Sequence, residues 1–85
     1  MIVEHFKDGP RPVYARFAER GRMAPDGLDY VGSWVTTDLT RCYQVMEGER
    51  ALLDEWIANW SDIVEFEVVE VLTSRQAAAE VERRQ

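Results

Sequence analysis

The sequence predicts an α+β domain of the ferredoxin-like order βαββαβ: a four-stranded antiparallel sheet, two helices on one of its faces, and a short C-terminal helix. Three observations predict it. Strand-like alternation and helical spacing take turns along the chain, Gly- and Pro-rich punctuation separates them, and two strand-like runs in the middle are joined by the short connector "LT". A chain of 85 residues fits a single domain, 1–85, and a domain of this size buries only about 60–65% of its extended-chain surface. A second subunit would add to that burial.

"MIVEHF" at the start is short and apolar and is stopped by "KDGPRP", so it reads as the first strand. From Pro12 the spacing turns helical, with Val13 and Phe17 on one diagonal and Tyr14 and Ala18 on the next. Pro12 suits a first turn, and Gly21 or "APDG" ends the helix. "LDYVGSWVTTD" and "RCYQVMEG" alternate and are rich in β-branched and aromatic residues, as the arms of a hairpin would be. "ERALLDEWIANWSD" returns to helical spacing, with Leu53, Trp56, Ile57 and Trp60 in one stripe, and "IVEFEVVEVL" forms the fourth strand. Thr73 and Gln76 then match a capping box ahead of "AAAEVERRQ".

Period two gives each strand two faces, and the helices are expected to cover the more uniformly apolar one. That choice places Met1, Val3 and His5, Val31 and Val35, Tyr43 and Val45, and Val64, Phe66 and Val68 under the helices. The opposite face then carries Ile2, Glu4 and Phe6, Tyr30 and Trp34, Cys42, Gln44 and Met46, and Glu65 and Glu67. Left bare, it would be a large apolar patch of a kind soluble monomers rarely keep. A second copy of the sheet would cover it and give a homodimer enclosing a barrel-like space. Lined by aromatics with a few converging polar groups, that space has the composition of a small-molecule pocket.

Sixteen acidic against ten basic residues leave a net charge of -6, which repels a phosphate backbone. Arg11, Arg16, Arg20 and Arg22 do cluster, but Glu19 sits among them and the segment reads as a solvated helix face. No nucleic-acid partner is expected. One cysteine makes no internal disulfide, no apolar stretch reaches the length of a membrane span, and no leader-like segment precedes the first strand. The expectation is a cytoplasmic protein without a membrane partner.

Cys42 would be a nucleophile if Arg41 lowered its pKa. Neighbouring strand residues point to opposite faces, however, so an unreactive buried thiol is the expectation. His5, the sole histidine, reads as a strand-end residue, with an acid–base role as the alternative. One His and one Cys supply no metal-ligand spacing, so neither a metal nor a cofactor is expected. Glu4, Glu65 and Glu67 would form a carboxylate group if they shared a partly dry face, with at least one pKa raised. Trp56 and Trp60 read as core, and Trp34 as the aromatic in contact with a ligand. The expected ligand-binding set is Glu4, Tyr30, Trp34, Cys42, Gln44 and Glu67.

Three blocks, "ERGRM" at 19–23, "RCYQVMEG" at 41–48 and "LLDEWIANWSDIVEFEVV" at 52–69, resemble an uncharacterised bacterial family, domain of unknown function 3303. The resemblance spans essentially the whole chain. It implies a ferredoxin-like fold and association with the dimeric α/β-barrel superfamily. That superfamily includes cofactor-free monooxygenases, muconolactone-isomerase-like enzymes and proteins that only bind, with sites between helices and sheet or inside the barrel. Two functional classes follow as expectations: a homodimer binding a small, partly apolar molecule, with or without cofactor-independent isomerase or oxygenase chemistry, or a dimerisation module with a filled interior.

Overall fold

A computed structural model describes all residues from Met1 to Gln85. Its elements follow the order β1 (Ile2–Phe6), α1 (Pro10–Arg20), β2 (Asp29–Val35), β3 (Arg41–Glu47), α2 (Arg50–Ala58), β4 (Val64–Val68) and α3 (Ser74–Arg83). The strands form one antiparallel sheet in the order β2-β3-β1-β4. This is the ferredoxin-like α+β fold. No helix is long and apolar enough to cross a membrane.

Several boundaries differ from the sequence reading for local reasons. α1 begins at Pro10 rather than Pro12, because the N–H groups of a first turn have no intrahelical acceptor and proline there forfeits nothing. β2 stops at Val35, since Asp38 Oδ1 accepts from the Thr36 and Thr40 hydroxyls and the Thr40 N–H and closes a side-chain-bonded turn. β4 ends at Val68, although Val69 still exchanges backbone bonds of 2.8 and 2.6 Å with Met1. The capping box forms in full: the Gln76 N–H donates to Thr73 Oγ1 and the Thr73 N–H to Gln76 Oε1.

The faces of β1 and β3 are the reverse of the expectation. Ile2, Glu4, Phe6, Cys42 and Gln44 are buried, and Ile2, Phe6 and Cys42 form one cluster with Val13 of α1, Trp56 of α2 and Val64 of β4. Register explains the placement. Glu4 lies opposite Cys42 on one side and Phe66 on the other, so these residues share a face and point at the helices. Val3, Tyr43 and Val45, expected beneath the helices, lie on the open face instead. The rule of the more uniformly apolar face failed because the covered face carries Glu4 and Gln44.

Strand β2 adds an irregularity. Its register against β3 shifts between Tyr30 and Gly32, so Val31 bulges out and stands 56% exposed. Beyond the bulge Ser33 and Val35 pair with Gln44 and Cys42 on the helix side, while Trp34 pairs with Tyr43 on the open side. Tyr30, before the bulge, pairs with Met46 and thereby joins the helix side, apart from Trp34.

Candidate functional site

The buried polar side chains of the sheet open onto a cavity of about 170 Å³ between the sheet and the two helices. Its floor comes from adjacent strands: Glu4 faces Cys42 across the β1–β3 ladder, and Gln44 faces Ser33 across β2–β3. Trp56 and Trp60 of the α2 segment and Val13, Tyr14 and Phe17 of α1 supply apolar walls. Phe6 meets Tyr14 edge to face at 6.3 Å, and Trp56 meets Phe66 at 5.5 Å, which fixes both walls against the sheet.

The mouth is formed by the loop after α1. Gly21 ends the helix in the left-handed region, φ 69°, and its N–H returns to the Phe17 carbonyl. Arg22 follows, and its backbone carbonyl accepts the indole N–H of both Trp56 and Trp60 at 3.0 Å. A spacing of four residues puts the two indoles on one side of the helical segment, which lets both reach the same oxygen. Met23, left-handed at φ 59° although not glycine, accepts from the Asn59 amide at 3.2 Å. Three side chains from the end of α2 thus pin the loop at two consecutive carbonyls.

With its backbone held, the Arg22 side chain folds over the mouth. Its guanidinium carbon lies 3.7 Å from the Tyr30 ring centroid and 5.2 Å from that of Phe17. The Tyr30 hydroxyl is in turn hydrogen-bonded to Ser33 at 2.7 Å. The bulge in β2 makes this stack possible, because it brings Tyr30 to the side of the sheet that Arg22 overhangs.

Burial sets the protonation of the floor. Loss of hydration raises the pKa of Glu4, against the opposing influence of the Cys42 thiol and the Arg22 charge. Burial first, then the charge and hydrogen bonding of Glu4, push Cys42 up to about 12. Tyr14 is raised by burial and by the nearby Cys42 and Glu4. At neutral pH the floor therefore presents a thiol with little thiolate character and a carboxyl drawn toward its neutral form. Such a site can donate hydrogen bonds and can hold or pass a proton at Glu4, but it does not activate Cys42 as a nucleophile.

A sequence profile described as Domain of unknown function (DUF3303) matches residues 1–85. The chain belongs to that family. Comparison with curated proteins and with solved structures finds no match.

In this DUF3303 domain, the residues singled out from sequence fall on two sides of the sheet. Glu4, Cys42 and Gln44 come together in the cleft, and Tyr30 stands at its rim through Arg22 and Ser33. Trp34 and Glu67 lie on the open face, where Trp34 is 62% exposed and crosses over Gly32. Glu65 and Glu67 pair with His5 and Val3 there, so the sheet separates them from Glu4 and the expected carboxylate group does not form. No three His, Cys, Asp or Glu side chains converge as a metal-binding group would require. Arg22, Ser33, Tyr14, Trp56 and Trp60 belong to the cleft although sequence spacing did not place them there. The traceable signal was the pairing of "GRM" after a helix with two tryptophans four apart, whose indole N–H groups needed an acceptor.

Proposed function

We propose that this domain binds a small, partly apolar molecule in the cleft between its helices and its sheet. The observation that carries this reading is Glu4, a carboxyl only 7% exposed, set at the floor of an aromatic-walled space instead of being sealed in packing. A buried ionisable group is costly unless something repays it, and sites of function are where such costs are retained. A cavity of about 170 Å³ is ring-sized: cavities of about 150 Å³ lined by apolar side chains accept benzene.

A thermal-shift screen of single-ring compounds tests the proposal, because a ligand of the native state alone must raise the melting temperature. The same compounds should lose their effect on Val35→Phe, which fills the floor. A screen in which no compound shifts the wild-type protein, or in which Val35→Phe responds equally, overturns the reading.

A second reading, cofactor-independent isomerase or oxygenase chemistry, rests on the raised pKa of Glu4. It requires that Glu4→Gln abolish turnover of a bound compound while leaving its affinity within a few-fold. We further propose that the domain works as a homodimer, with its open sheet face covered by a second copy. Trp34 and Val31 are exposed there, with Val3, Tyr43 and Val45 partly exposed beside them. Because the polar floor faces the helices, each subunit would carry its own cleft.

A further inference from the structure

We propose that the ligand of this cleft is a carboxylate on a single ring, held at the mouth by Arg22 with its ring among the aromatic walls. The inference rests on the cleft being a binding site and adds the ligand's chemical class. Arg22 is the only basic side chain lining the cavity. It makes no ion pair and donates no side-chain hydrogen bond within the protein, in contrast to Arg16, which holds Asp62 by two bonds of 2.7 Å.

What Arg22 has instead is position. Its carbonyl is fixed by two indoles and its guanidinium carbon is held over the Tyr30 ring, 3.7 Å from the centroid. Held over the ring without a hydrogen-bond partner in the protein, the guanidinium keeps its N–H donors available, and a planar fork of such donors receives a carboxylate through two parallel bonds. Much of the side-chain entropy that binding would otherwise cost has already been lost to the stack.

The remainder of the cleft discriminates between anions. Below the mouth the walls are Trp56, Phe6, Val13 and the ring of Tyr14, which suit a hydrocarbon ring better than the fully hydrated oxygens of a phosphate. The groups around Glu4 do not oppose a bound anion strongly. Cys42 from β3 and Tyr14 from α1 remain protonated at neutral pH, Arg22 is the one cation, and α2 and β4 contribute Trp56 and Phe66. A cavity of about 170 Å³ accommodates one ring, by comparison with the roughly 150 Å³ that holds benzene.

The test is titration calorimetry on the full chain with benzoate and cyclohexanecarboxylate, each against its own amide, benzamide and cyclohexanecarboxamide. Each amide keeps the shape of its acid and removes the charge. Wild type should prefer the acids by about tenfold or more, the scale of a charge-assisted bidentate pair. Arg22→Met should bring the acid-to-amide affinity ratio to about one, the acids losing much more than the amides, and Arg22→Lys should restore part of the ratio. The Arg22 carbonyl is held through the backbone, so both variants should fold; the acid-to-amide ratio on wild type decides the matter without them. Equal binding of acid and amide to wild type, or an acid affinity unchanged in Arg22→Met, overturns the carboxylate assignment and leaves the cleft a binding site. Failure of all four compounds to bind overturns the assignment together with the cleft reading on which it rests.

Discussion

Glu4 shows how one residue can mislead a pattern and then explain the site. On a strand of five residues it sits between Ile2 and Phe6 on the buried face, where a carboxyl is normally excluded. Its pKa is raised by burial, so the folded state binds more protons than the unfolded one between the ordinary value of 4.5 and the folded value. Stability conferred at low pH is therefore lost as pH rises from about 4.5 through the folded pKa. Glu4→Gln should remove this loss: urea midpoints of the variant should exceed those of wild type at pH 8, and the difference should shrink toward pH 4. Cys42, with its pKa at about 12, adds no slope near neutrality.

At the scale of elements, the site depends on two local departures from regular structure. The bulge at Val31 moves Tyr30 to the helix side of β2, and the loop after α1 delivers Arg22 onto its ring. Both indoles of the α2 segment hold that loop. Trp60→Phe keeps an aromatic ring but removes one donor, so it should destabilise the fold by about 1–2 kcal/mol, a hydrogen bond plus some lost packing. Chemical denaturation measures this cost. If the loop presents Arg22 to a ligand, benzoate affinity should fall as well, although the substituted side chain does not supply the charge. Arg16 and Asp62 join α1 to the turn before β4, and the guanidinium holds the Asp62 carboxyl at about 2. That tie is present above the ordinary carboxylate value of 3.8 and is lost as pH falls toward about 2.

The whole molecule leaves much of itself uncovered. Only 10 of 85 residues are buried, and the radius of gyration of 14.6 Å exceeds the roughly 12 Å typical of a compact chain this long. α3 accounts for part of the excess: it buries no residue, and the tail before it exposes Val71 and Leu72. An open groove of about 670 Å³ lies between that tail and the end of the sheet, with Val45, Met46 and Leu53 along it. The open sheet face, where Trp34 stands 62% exposed, is what the proposed second subunit would cover. Light scattering after gel filtration should give twice the 9.9 kDa chain mass, and Trp34→Glu, on the exposed face, should shift the protein toward monomer. A wild-type monomer at micromolar concentration would exclude the dimer.

The sequence by itself determined the element order, because periodicity and Gly–Pro punctuation act over a few residues and need no partner. It also determined the capping box of Thr73 and Gln76, whose atoms are local. Tertiary structure decided which face of β1 and β3 met the helices, since that depends on register between strands distant in the chain. Counting apolar residues ranked the faces wrongly where the polar Glu4 and Gln44 are buried and line the cavity. The same holds for Arg22. Its neighbours Gly21 and Met23 mark a turn in the sequence, but its stack on Tyr30 exists only because a bulge in one strand and two indoles on a distant helix bring them together.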